Sequence, residues 1–161
     1  IRLFLFMALF SACDNKKCDD IVCGTNQVCN QGFCLCLDGY EGTDCQTLAS
    51  EKYLGNYNVT QSCSQGNGAS NVSFGTVQAD GAPINELLFY NFLGTGLTAY
   101  AFIGTDQNGN GNFLRFPSQN LGATEITGEG YYQDFGGSGR FTIDIQLSIN
   151  GQLSICNYTY Y

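Results

Sequence analysis

The sequence contains no histidine and no tryptophan, and only one methionine and two prolines. Without histidine there is no Ser-His-Asp or Cys-His catalytic arrangement and no histidine metal site. Basic residues are also scarce: six Lys and Arg stand against fourteen Asp and Glu, a formal charge of -8. That balance opposes nucleic acid binding, which requires a basic footprint, and it opposes electrostatic attachment to anionic lipid. Beyond residue 53 no stretch keeps an apolar period of 3.6 residues, so long amphipathic helices are not expected there. What the chain has in quantity is glycine (21), phenylalanine (12) and tyrosine (10), a composition suited to short strands and frequent turns.

The first residues read Ile1-Arg2-Leu3-Phe4-Leu5-Phe6-Met7-Ala8-Leu9-Phe10-Ser11-Ala12-Cys13. A positive charge precedes a short apolar run that ends in small residues, the architecture of a secretory signal. The run is well below the roughly 20 residues that span a bilayer. Residues 1–12 are therefore read as a signal peptide, clipped at its start because no initiator Met is present. Phe10-Ser11-Ala12-Cys13 resembles the bacterial lipobox, with Phe10 where Leu is usual. The resemblance implies cleavage before Cys13 and acylation (palmitate-type chains) of its thiol and new amino group, giving a Bacteroidetes-like bacterial lipoprotein tethered by residues 13–17. Two or three chains anchor stably, since each buried methylene contributes about 0.8 kcal/mol. An ordinary secreted protein is the alternative.

Seven of the nine cysteines lie at or before Cys45; the other two, Cys63 and Cys156, are far apart. One compact cysteine-rich unit and one cysteine-poor unit follow from that distribution. The compact unit is spaced Cys18-x4-Cys23-x5-Cys29-x4-Cys34-x1-Cys36-x8-Cys45, and spacing alone leaves its connectivity open. Its tail, Cys34-Leu35-Cys36-Leu37-Asp38-Gly39-Tyr40-Glu41-Gly42-Thr43-Asp44-Cys45, resembles the C-x-C-x-x-G-aromatic-x-G-x-x-C signature of EGF-like domains. That resemblance covers 28 residues and implies the pairs Cys18–Cys29, Cys23–Cys34 and Cys36–Cys45, with an EGF-like domain over 18–46. So short a segment cannot bury enough apolar surface to fold alone, whereas each short covalent loop is worth about 2–4 kcal/mol. Gln31-Gly32 is expected to close a hairpin. The gaps do not fit paired C-x2-C zinc knuckles, and Lys16-Lys17 occupies the place where calcium-binding EGF-like domains carry acids or amides. No metal and no cofactor is expected.

After a linker at 47–52, residues 53–161 show period-two alternation. The clearest run sets Phe141, Ile143, Ile145, Leu147 and Ile149 against Thr142, Asp144, Gln146, Ser148 and Asn150, with Asn150-Gly151 as a hairpin turn. Leu153 and Ile155 continue the returning strand, and Cys156, Tyr158 and Tyr160 fall on its opposite face or past a bulge. Turn signals at 65–68, 80–81, 94–96, 106–111 and 136–139 separate candidate strands near 56–63, 70–78, 86–93, 98–104, 112–117, 123–132, 140–149 and 152–160. The expected fold class is all-β: an EGF-like module followed by an antiparallel meander of about eight strands, closed as a barrel or stacked as a sandwich. In a closed meander the first and last strands are neighbours, so a Cys63–Cys156 bridge is expected, worth up to about 4–5 kcal/mol. Leu54-Gly55-Asn56-Tyr57-Asn58-Val59 resembles the G-x-W opening of lipocalin-like (calycin) folds, with Tyr57 in place of Trp. The resemblance implies a late Arg covering that ring, for which Arg140 is available. With eight cysteines paired, the odd one is Cys13, and acylation removes a free thiol unwelcome in an oxidising compartment.

No catalytic residues are expected. The carboxylate pairs worth weighing are Glu125 with Glu129, placed on one face by alternation, and Asp134 with Asp144; scattered acids on strands are ordinarily a solvated face. Asp106-Gln107-Asn108-Gly109-Asn110-Gly111 lacks the closing glutamate of an EF-hand and reads as a hairpin loop. Asn58, Asn71 and Asn157 are N-x-[ST] sites, relevant only in a eukaryotic host. Three functions follow. The first is a non-catalytic cell-envelope lipoprotein, lipid-anchored in the outer membrane on its periplasmic or surface face, whose EGF-like unit acts as spacer and whose β domain contacts an envelope or extracellular protein or a ligand. The second is a lipocalin-like carrier of a small apolar ligand, lined by Phe89, Tyr100, Phe102, Phe113 and Phe116, although such rings more often fill a small barrel. The third is a secreted eukaryotic EGF-like protein.

Overall fold

The computed structural model describes residues 15–64, 70–79, 81, 83–105, 110–134, 139–149 and 152–161. Cys13, the leader, and the turn signals at 65–68, 106–109, 136–138 and 150–151 lie outside them.

The first unit is small and held by covalent bonds. A 3₁₀ turn, Asn15–Cys18, leads to a hairpin of β1 (Gln27–Asn30) and β2 (Phe33–Cys36), closed at Gln31-Gly32. Disulfides join Cys18 to Cys29, Cys23 to Cys34 and Cys36 to Cys45, the pairs that the EGF-like resemblance implies. The stretch read as a linker is itself structured. β3 (Tyr40–Glu41) pairs with β4 (Thr47–Leu48), and a second 3₁₀ turn, Glu51–Tyr53, leads into the next unit.

That unit is a closed antiparallel barrel of eight strands, each paired with its sequence neighbours: β5 (Gly55–Cys63), β6 (Ser70–Ala79), β7 (Glu86–Phe92), β8 (Leu97–Gly104), β9 (Phe113–Leu121), β10 (Thr124–Asp134), β11 (Gly139–Ile149) and β12 (Gln152–Tyr160). Pairing of β12 with β5 closes the ring and sets Cys156 directly across from Cys63, where the two are bonded. Closure pairs both edges of every barrel strand among the described residues, and the barrel replaces the sandwich alternative.

Alternation decides what faces inward. On β11, Phe141, Ile143 and Ile145 are fully buried while Asp144 and Gln146 are exposed. β12 pairs with β11 in unbroken register from Phe141↔Tyr160 to Ile149↔Gln152. Cys156, Tyr158 and Tyr160 therefore face inward and Leu153 and Ile155 outward, with no bulge between the two sets. Bulges occur elsewhere. On β9 two residues, Pro117 and Ser118, stand against Thr127 alone, which is where proline, lacking a donor for the ladder, is tolerated.

Aromatic rings crowd the barrel interior. Phe141 stacks on Tyr160 with centroids 4.5 Å apart, Tyr57 meets Phe141 edge-on at 5.1 Å, and Phe116 lies against Phe89 at 5.0 Å and Phe92 at 5.4 Å. Small residues facing inward, Gly75, Ala99 and Ala101, make room for these rings. Such interleaving of small and large side chains is how a narrow barrel fills its lumen.

Candidate functional site

Among the described residues, the joint between the units and the outer face of β9–β11 bring chemically distinct side chains together.

The joint is built on the 3₁₀ turn Glu51–Tyr53. Tyr53 is fully buried at the barrel's lower end, where its hydroxyl donates to the Gly111 carbonyl at 2.8 Å and its own carbonyl accepts from Tyr57 Oη at 2.9 Å. Lys52 Nζ forms an ion pair with Glu41 of the disulfide module, donates to Asn112 Oδ1 of the barrel at 2.6 Å, and lies 5.2 Å from the centre of the Tyr132 ring. Glu41 Oε2 also accepts from the Gly111 amide at 3.3 Å. The Cys36–Cys45 loop carries Gly39, which is buried; a Cβ there would stand 3.0 Å from Ile84 and 3.2 Å from Asn85 of the barrel. Gly111 approaches Ala49 so closely that a side chain would collide with it. Covalent closure of the loop thus presents Gly39 and Glu41 to the barrel in a fixed geometry. A polar cleft of about 360 Å³ remains beside the joint, lined by Glu41, Thr47, Lys52, Asn112, Tyr132 and Asp134. Burial, then Asp134 and Glu41, raise the Tyr132 hydroxyl above its usual pKa.

The outer face is a shallow groove of about 770 Å³ across β9, β10 and β11. Register sets Arg115 across from Glu129 on one side and Asp144 across from it on the other. Tyr131 is half exposed beside them, its ring 5.3 Å from Phe113. Two carboxylates directly opposite one another repel, and Asp144 is held by an Asn157 side-chain amide at 2.9 Å. Below the groove a second hollow of about 610 Å³ is lined by Asp38, Asn85, Phe102, Phe113 and Arg115. The face thus offers apolar rings, amides and charge of both signs within reach of solvent.

The residues singled out from the sequence separate accordingly. Phe89 and Phe116 are in the packed interior, whereas Tyr100, Phe102 and Phe113 project from the outside of the barrel, so these five do not line one cavity. Alternation on β8 makes the difference, because Ala99, Ala101 and Ile103 hold the inward positions. Glu125 and Glu129 do share the outer face, but they are four positions apart along the strand, about 13 Å. Asp134 lies at the joint and Asp144 in the groove, so that pair is apart. The acids that register does bring opposite are Glu129 and Asp144, a pairing with no local signal in the sequence. Arg140 stands over Tyr161 at 5.9 Å, and Phe141 and Tyr160 lie edge-on against Tyr57. Asn58 is exposed and Asn157 partly so. Among the described residues no three Cys, Asp or Glu side chains converge as a metal-holding group.

Comparison with protein-family models, with curated proteins and with solved structures found no match.

Proposed function

We propose that this chain is a non-catalytic lipoprotein of the cell envelope, anchored through Cys13, in which the disulfide-rich module serves as an EGF-like spacer and the barrel presents a recognition surface. The packed lumen carries the reading. A barrel whose interior is occupied by Phe89, Phe92, Phe116, Phe141, Tyr158 and Tyr160 acts as a scaffold, and its binding chemistry then belongs outside, where the groove around Arg115, Glu129 and Tyr131 lies. The joint at Lys52 supports the same reading, because a spacer must hold its cargo in a defined position. The partner in this reading is an envelope or extracellular protein, or a ligand, that meets the outer face.

The test is intact-mass analysis of the protein produced from its full-length gene in a bacterial host, beside a Cys13→Ala control, followed by native mass spectrometry. Cleavage before Cys13 with added acyl mass, lost in the control, is the expected result. A soluble, unacylated product overturns the anchor and puts the secreted reading first. A small apolar molecule retained by the folded barrel overturns the scaffold in favour of a carrier.

A further inference from the structure

The disulfide module has two dissimilar ends. Its C-terminal half, from Cys36 onward, is packed on the barrel through Gly39, Glu41 and Ala49. Its N-terminal half, by contrast, exposes large apolar side chains: Val22 is 96% accessible, Phe33 72% and Val28 48%, with Ile21 also exposed. All of them lie in the hairpin and the loop bonded to it. Val28, Phe33 and Leu35 share one face of the hairpin, because Val28 pairs with Leu35 and Asn30 with Phe33; the bonded Cys29 and Cys34 hold the other face. Ile21 and Val22 sit in the loop that Cys18–Cys29 and Cys23–Cys34 fasten to that other face, so the apolar groups flank the hairpin on both sides. Exposed apolar groups gathered at one end of a small folded unit mark a contact surface.

The position of the cluster identifies what covers it. The hairpin tip rests against Lys17, since a Cβ at Gly32 would stand 3.6 Å from the Lys17 carbonyl. The described residues begin at Asn15, and only Asp14 separates Asn15 from Cys13. Two peptide units reach at most about 7–8 Å, so acyl chains on Cys13 hold this end of the module at the lipid headgroups. We infer that the N-terminal half of the module is a membrane-contacting end, with Phe33 and Val22, on either side of the hairpin tip, entering the boundary between headgroups and acyl chains of the membrane that carries the anchor. This rests on the lipoprotein reading and deepens it. The contact is apolar: two lysines (Lys16, Lys17) stand against three aspartates (Asp14, Asp19, Asp20) in this stretch, so charge does not supply the attraction. It also orients the molecule, because the barrel is fixed to the opposite half and therefore faces away from the bilayer.

The absence of tryptophan makes a direct test available. Phe33→Trp, Val22→Trp and, as a barrel control, Tyr90→Trp are prepared as full-length proteins in the lipid-attached form, with acylation verified by mass. They are then reconstituted in phosphatidylethanolamine–phosphatidylglycerol vesicles with brominated acyl chains. Insertion by about 5–10 Å is expected to shift the Phe33→Trp and Val22→Trp emission to the blue and to quench it about twofold or more, unchanged by added salt, with Tyr90→Trp unaffected. An acylated, vesicle-bound protein whose reporters at 22 and 33 are unquenched overturns the membrane face and leaves the anchor standing. Reporters shifted equally without vesicles assign the face to a second copy of the chain and overturn it too. Quenching abolished by salt makes the contact ionic and overturns the apolar one. A protein that is never acylated removes the anchor reading and this inference together.

Discussion

Lys52 and Glu41 meet across the boundary between the two units, with both side chains largely shielded from solvent (16% and 19% accessible). Because Lys52 also donates to Asn112, one ammonium group ties the disulfide module, the connecting 3₁₀ turn and the barrel together. A hydrogen bond to a charged group contributes about 1.5–3 kcal/mol when its partner would otherwise be left without it. Lys52→Met is therefore expected to lower stability by about 1–3 kcal/mol in urea denaturation. Glu41→Gln should cost less, since its amide oxygen can still accept from Lys52. The double variant should fall short of the sum, because the two changes remove one shared interaction; full additivity would show that the pair is not coupled.

Gly39 separates two causes of strain. Its φ of +92° disfavours any side chain, and its missing Cβ leaves room for Ile84 and Asn85 at 3.0 and 3.2 Å. Gly81 has a similar φ, +86°, with nothing within 4 Å. Gly81→Ala should cost the backbone share alone, about 1 kcal/mol, and Gly39→Ala about 1–3 kcal/mol more. The extra loss should be accompanied by faster proteolysis between the module and the barrel. Equal losses at the two positions would mean that the module does not press on the barrel at Gly39.

Much of the barrel was legible in the sequence, and the reason is local. Strand existence follows from period-two alternation bounded by turn residues, both short-range signals, so candidate ranges such as 86–93 and 152–160 lie within a residue or so of the observed β7 (Glu86–Phe92) and β12 (Gln152–Tyr160). Closure was legible because Cys63 and Cys156 fall in the first and last strands. The groove was not, because it depends on register: Glu129 meets Asp144 and Arg115 only through pairings between strands, and a slip of one residue would send each to the other face. The inside–outside assignment of Tyr100 and Phe102 failed for a related reason. Both alternating sets on β8 contain apolar residues, and it is the smaller set, Ala99 and Ala101, that opposes the central rings. The reach of Lys52 to Glu41 and Asn112 joins residues up to 60 positions apart and leaves no mark on the local pattern.

The bridge between Cys63 and Cys156 spans 93 residues of sequence and joins the strands whose pairing closes the barrel. Restricting so long a loop in the unfolded chain is worth up to about 4–5 kcal/mol by chain-entropy arguments. The Cys63→Ala/Cys156→Ala variant is expected to lose roughly 3–5 kcal/mol in urea denaturation while its native-state circular dichroism is unchanged, because hydrogen bonding between β12 and β5 still closes the sheet. A loss below about 1 kcal/mol would mean that the unfolded chain is already compact across this span.

Alkaline titration examines the packed lumen itself. Burial pushes Tyr158 up to about 12 and raises Tyr160, beside it, still further above the usual value of 10.0. Tyr57 is raised as well, by burial first and then by Tyr132. A tyrosine is neutral when protonated, so a raised folded-state value means that the folded barrel keeps its phenolic protons after the unfolded chain has lost its own. Below pH 10 this contributes no dependence; between about 10 and 12 the folded state binds more protons, and stability falls as pH rises. Urea midpoints should accordingly be flat at neutral pH and drop steeply above pH 10. In a titration without denaturant, the last rise in absorbance at 295 nm should coincide with the loss of near-ultraviolet circular dichroism, since Tyr158 and Tyr160 ionise only as the ring stack comes apart. Tyr158→Phe removes one of these protons and should make the decline above pH 10 shallower. An unaltered slope in that variant would show that Tyr158 is reached by solvent in the folded barrel, and with it that the lumen is open.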